Sequence, residues 1–156
     1  MNSHYAQLAD WNNAMTEFVM IYRGIPASRR SESIDGGWSA REILEHLLET
    51  ELIFSTRMRV AIANPGAGIV AFDQDLYSER IPTDQVPDDL LLDALAALRG
   101  VNLAVLRALP DETWQQTVQH PEAGTQTLER IVSVFGNHVS DHLADIKKAG
   151  LGVKTL

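Results

Sequence analysis

The segment HVSDH, His138 to His142, sets two imidazoles four residues apart. At about 100° per residue they lie about 40° apart around a helix axis and one turn apart along it, so both rings project the same way. The flanking Leu128, Ile131, Val132, Phe135, Val139, Leu143 and Ile146 carry helical periodicity. The histidines continue that apolar stripe rather than the polar face. Leu128, Phe135 and His142 are spaced by sevens, as are Ile131 and His138, which gives both imidazoles core-seam positions. Burying an imidazole without a partner costs on the order of 1–3 kcal/mol, so two side by side call for a shared one. A metal ion is such a partner, because imidazoles at i and i+4 are a common helix-borne ligand pair. Hydrogen bonding inside a core, or exposure to solvent, is the ordinary alternative.

Two ligands hold a metal loosely, so a third should come from another helix. His4 sits near the chain start, one turn before Leu8, and His120 precedes Pro121 in an irregular stretch. His46 lies one turn after Ile43 and one turn before Thr50, bordering a buried stripe, and is the expected third ligand. Three histidines with open positions describe a reactive site rather than a closed structural one. The chain has no cysteine, which excludes disulfides, thiolate ligands and a cysteine nucleophile. Nitrogen ligands leave Zn²⁺, Ni²⁺ and Fe²⁺ open. Asp141 and Asp145 follow His138 on the same side of the helix and are candidates to orient a ligand or a bound water.

Four segments are periodic enough to be long helices. The first runs from about His4 to Arg23, with Leu8, Trp11, Met15, Phe18 and Tyr22 on one face. A Gly-, Ser- and Pro-rich loop follows. Ser39 and Glu42 form a capping box that starts the second helix, which carries Ile43, Leu44, Leu47, Leu48, Ile53, Phe54 and Met58 and stops before NPGAG. The third begins near Pro87-Asp88, with Asp88 as its expected cap, and Pro110 ends it. It shows Leu91, Leu95, Leu98, Val105 and Leu109. Asn102 interrupts that face, either lining the site or satisfying a buried backbone group. The last helix runs from about Thr127 to Ala149, with Gly150 as its stop. Residues 69–87 read as a long connection without strong periodicity, of the kind that is often functional. In DETWQQTVQHPEAGTQ only WQQTVQ suggests a short extended piece. Four helices with long crossover loops predict an all-α four-helix bundle, one domain over residues 1–156.

A net charge of −8 and a pI near 5.0 disfavour nucleic acid and anionic membrane as partners. No apolar stretch approaches the roughly 20 residues of a membrane span, and the start lacks the pattern of a signal peptide. A cytoplasmic protein is expected, and exposed apolar strips on a small bundle make a homodimer plausible.

Two stretches resemble the DinB-like (YfiT-like) proteins: WSAREILEHLLETE, Trp38 to Glu51, and TLERIVSVFGNHVSDHLADIKK, Thr127 to Lys148. HPEAGTQTL before the last helix and the spacing between the two also fit. The resemblance implies a four-helix bundle holding a divalent metal on His46, His138 and His142. It also implies a small-molecule substrate and, as in some members, transfer or isomerisation with a low-molecular-weight thiol such as bacillithiol, mycothiol or glutathione. Val139 stands where some members carry an acidic residue directly after the first histidine, so no acid or base is assigned there. A thiol S-transferase is the first expectation, metal-assisted hydrolysis the second, and a non-catalytic metal- or ligand-binding dimeric scaffold the competing class.

The remaining polar and aromatic residues read more plainly. Asp73, Asp75 and Tyr77 suit a solvated loop with capping aspartates, with a lid or substrate contact as the lesser reading. Trp11, Trp38 and Trp114 read as packing residues, and Arg29-Arg30 as a solvated pair. A carboxylate-binding role for Arg57 and Arg59 is the lesser reading for those two.

Overall fold

The computed structural model describes residues 4–151. Its elements are α1 (Tyr5–Gly24), α2 (Ala40–Ala63), α3 (Gln74–Arg80), α4 (Asp88–Arg107), a hairpin of β1 (Thr117–His120) and β2 (Gly124–Thr127), and α5 (Leu128–Leu151). Short 3₁₀ turns cover Ala27–Arg29 and Asp111–Gln115. α1 packs on α5 and α4, and α2 packs on the same two helices. The successive long helices α1 and α2 therefore face each other across the diagonal, as do α4 and α5. Crossing a diagonal takes chain, which is why residues 25–39 and the hairpin region are long. An up-and-down bundle would need only short turns there.

Local chemistry explains most boundaries. Ser39 accepts from the Glu42 amide while Glu42 reaches back to the Ser39 amide at 2.7 Å, so the expected capping box starts α2. Asp88 is not the cap of α4. Pro87 occupies that position, and the Asp88 carboxylate is held instead by Arg30, at 2.9 Å, and by Arg41. Two guanidiniums offer it charged donors that a helix amide cannot match. Arg30 is accordingly ion-paired rather than solvated. Gly150 does not stop α5, which continues to Leu151. WQQTVQ is in part the strand β1, paired antiparallel with β2. The long connection holds an unforeseen element, α3. It is capped by Asp73, whose carboxylate accepts from the amides of Asp75 and Leu76, and none of its residues is buried.

The core has two parts. One gathers Phe18, Tyr22, Leu44, Leu92, Val139 and Ile146. The other gathers Trp11, Phe54, Met58, Leu103, Trp114 and Ile131 around the hairpin residue Val118. α1 and α5 approach so closely that a Cβ on Gly136 would stand 1.9 Å from Trp11 Cε2. Trp11 donates from its indole to Asn137 at 3.2 Å. Between the two parts, at the level of Glu51 on α2 and Arg99 on α4, lies a polar layer. Arg99 donates to one carboxylate oxygen of Glu51 at 2.9 and 2.7 Å. Asn102 donates to the other at 2.7 Å and to Ser55 at 2.6 Å. Arg59 then donates to the Asn102 carbonyl oxygen at 2.8 Å. Glu51, Arg99, Asn102 and Ser55 are all buried.

Candidate metal centre

His46 from α2 and His138 and His142 from α5 meet at one point between the two helices. Their nearest ring nitrogens all lie within 4.8 Å of one another, and Nε2 of His46 and Nε2 of His138 are 3.0 Å apart. Ring centroids are separated by 4.8 Å (46 to 138), 5.3 Å (46 to 142) and 4.9 Å (138 to 142), with the planes steeply inclined. The periodicity that puts His138 and His142 on one face of α5 aims them at α2, and the turn begun by Ser39 brings His46 to the same level.

Electrostatics favour three neutral rings. Burial pushes the His46 pKa down to about 3, helped by the other two imidazoles, and pushes His138 down to about 4. Burial also lowers His142, against the pull of Asp145 and Asp141. Unprotonated imidazoles present lone pairs, and three converging lone pairs are the donor set of a divalent cation. With metal–nitrogen bonds of about 2.0–2.1 Å, tetrahedral ligands sit roughly 3.4 Å apart, so the observed spacing needs only small ring movements. Among the described residues, the hydrogen-bonding distance these rings make is to each other, which leaves the lone pairs without another partner. The residues present fit a metal.

The pKa values carry a consequence for stability. An unfolded histidine titrates near 6.5, so between that value and about 4 the unfolded chain binds more protons than the folded one. The contribution is complete above about pH 6.5 and is lost as pH falls toward the folded values. Chelator-treated protein should unfold at a lower urea concentration at pH 4.5 than at pH 7.5. His138→Gln should flatten that dependence in paired urea titrations.

The other expected site residues divide. Asp141 is exposed, and Asp145 lies 3.5 Å from Lys148. Both act on the imidazoles through charge, and neither makes a hydrogen bond to a ring among the described residues. Asn102 is fully buried in the polar layer and does not line the site; its amide is used in joining α4 to α2. Arg57 donates to the Val70 carbonyl at 2.7 Å and Arg59 to Ser55 and Asn102, so both guanidiniums are engaged within the protein. Of the remaining histidines, His4 stacks on Trp114 at 3.8 Å, and His120 accepts the amides of Glu122 and Ala123 in the hairpin turn.

Trp38 packs against the site itself. It is 36% exposed, lies parallel to the His142 ring at 6.0 Å and meets His46 edge-on at 4.8 Å. Its place directly before the capping box is the signal that would have found it, because the cap turns residue 38 back over the first turns of α2. Trp38, Ile34, Gly37 and Ile43 join His142 and Asp145 around a hollow of about 310 Å³. His46 borders a second, narrower cleft of about 20 Å³ between α2 and residues 70–86, the strap that carries α3, lined by Glu45, Glu49, Phe72 and Tyr77 among others. The strap is tied down at both ends by α2. Arg57 holds Val70, and Arg41 donates to the carbonyls of Thr83 at 2.8 Å and Val86 at 3.0 Å. Tyr77 thus faces the cleft rather than open solvent.

Comparison with known proteins agrees with this picture. A protein of Oceanobacillus iheyensis named as a suspected metal-dependent hydrolase is 23% identical over 142 residues, 88% of this chain and 82% of its own. A similarly named protein of Bacillus cereus is 27% identical over 118 residues, 72% of this chain and 66% of its own. YfiT from Bacillus subtilis, described as a suspected metal-dependent hydrolase with an unusual four-helix bundle topology, superposes with a TM-score of 0.81 at 22% identity, covering 96% of this chain and 90% of its own. A mycothiol-dependent maleylpyruvate isomerase superposes with a TM-score of 0.70 at 14% identity, over 90% of this chain and 59% of its own. At these identities the structural likeness is one of fold. No described helix is long and apolar enough to cross a membrane. The sequence pattern of the DinB superfamily matches residues 11–146, and the chain belongs to that superfamily.

Proposed function

We propose that this protein is a metal-dependent enzyme that transfers the sulfur of a low-molecular-weight thiol to an electrophile. The observation that carries the reading is the convergence of three imidazoles, with His142 at the edge of the hollow, in a chain that has no thiol of its own. His46, His138 and His142 would hold the ion. A bound divalent cation supplies charge that lowers the pKa of a thiol or water beside it toward neutrality. The hollow is within the usual size range for small-molecule sites. Trp38 offers a flat apolar face there, and Asp145 sits at the rim. In the transfer, a sulfur–carbon bond forms at the electrophile and the bond to the leaving group breaks. The leaving group departs with that electron pair, and the thiol proton is handed on to a base or to the leaving group.

Hydrolysis is the second reading. It is favoured by the small cleft at His46, whose volume suits a water molecule. The names borne by the related bacterial proteins point the same way. A non-catalytic scaffold would keep the rings sealed, whereas His46 and His142 each border open space.

The test uses untagged, zinc-loaded protein with bacillithiol, mycothiol and glutathione in turn, and 1-chloro-2,4-dinitrobenzene as electrophile. Thioether formation should depend on the metal with at least one thiol and vanish in His142→Ala. Thiol consumption no faster than in chelated protein would remove the transferase reading. Cleavage of activated esters without thiol would replace it with hydrolysis.

A further inference from the structure

The helix that supplies His46 carries four glutamates, and three of them are engaged. Glu42 closes the capping box, Glu45 pairs with Arg41 at 2.6 Å, and Glu51 pairs with Arg99. Glu49 makes no hydrogen bond and no ion pair among the described residues. It is half-buried, stands one turn beyond His46 on α2, and lines the same cleft as His46. Asp141, exposed to solvent, and Asp145, beside Lys148, are placed less well to handle a proton at the site. Val139 leaves the position after His138 without an acid.

We propose that Glu49 is the carboxylate that takes the proton from the nucleophile bound at the three-histidine site and returns it to the leaving group. This rests on the metal reading above. The O–H or S–H bond of the nucleophile breaks as an O–H bond forms on a Glu49 carboxylate oxygen. The electron pair left behind attacks the substrate, and the same proton is later delivered to the departing atom, so the carboxylate ends as it began. A base needs a lone pair that is not already engaged and a position from which it can reach the reacting proton; Glu49 has the first and shares a cleft of water size with a ligand histidine. The groups facing it are Glu45 and His46 from its own helix and the Tyr77 phenol, Gln74, Ser78 and Thr83 from the strap. Glu45 is paired with Arg41, and no arginine or lysine among the described residues pairs with Glu49. Burial also pushes its pKa upward, toward the range of a working base.

The proposal can be tested without a known substrate. Acetohydroxamate, a protic zinc ligand, is titrated calorimetrically into zinc-loaded wild type and E49Q in two buffers of different ionisation heat. The wild type should pass no proton to the buffer, because Glu49 keeps it. E49Q should release one proton per hydroxamate and bind about 10- to 100-fold more weakly, with E49D between the two. Equal proton release by wild type and E49Q, or no hydroxamate uptake by the zinc-loaded wild type, would overturn the role of Glu49. Zinc content is measured first. A wild type that holds no zinc defeats the metal reading itself, whereas E49Q holding zinc as the wild type does isolates the carboxylate.

Discussion

Protein prepared without a histidine tag carries close to one divalent ion per chain, and His138→Ala carries almost none: this is the result expected from elemental analysis. His138 is the ring whose Nε2 lies 3.0 Å from that of His46, so its loss leaves two ligands at opposite sides of the gap. The same comparison can be made by melting. A ligand that binds only the folded state stabilises it by about 4.1 kcal/mol at 1,000 times its Kd. For a chain of this size, each kcal/mol moves Tm by about 2–4 °C. Chelation of the wild type should therefore lower Tm by roughly 8–16 °C, and His138→Ala should melt at one temperature with or without chelator. An ion retained in full by His138→Ala would place the metal elsewhere and undo the functional reading.

The second large effect lies in the polar layer. Glu51 and Arg99 are 2% and 4% exposed, and each is the other's counter-charge. Removing one partner of a buried pair leaves an uncompensated charge, at a cost of about 3–5 kcal/mol, against a total stability of about 5–15 kcal/mol for a domain. Glu51→Leu and Arg99→Met should each lose that amount in urea unfolding, measured with chelator present so that metal linkage does not contribute. The double variant should be more stable than either single one, because neither charge is then stranded. Strictly additive losses would mean that the two residues act independently. Arg99 also reaches the Phe135 carbonyl at 3.4 Å, one turn before His138, so the layer supports the helix that bears two of the expected ligands.

What could be read from the sequence follows the range of each interaction. Helix periodicity and the Ser39–Glu42 box are local, and they fixed the four long helices and the start of α2. His138 and His142 are joined by one turn of helix, so their common direction was also legible. The place of His46 depends on which helices meet, and the apolar stripe around Ile43 and Thr50 carries that information only in part. The misses have other causes. The pairs Glu51–Arg99 and Asp88–Arg41 are separated by 48 and 47 positions. No periodicity reports such partners, and Asp88 looked like a cap only while Arg30 and Arg41 were out of view. α3 was hidden because a seven-residue helix with no buried side chain leaves no apolar stripe. Glu49 stood out only once its neighbours were seen to be engaged.

The hydrogen bonds that α2 side chains give to the strap end on main-chain carbonyls, at Val70, Thr83 and Val86. All twenty amino acids bring that oxygen. Side chains between the two anchors that face the cleft, such as Tyr77 and Ser78, can therefore change without removing those hydrogen bonds, and the wall of the cleft beside His46 can be redrawn while the histidines and the arginines stay as they are.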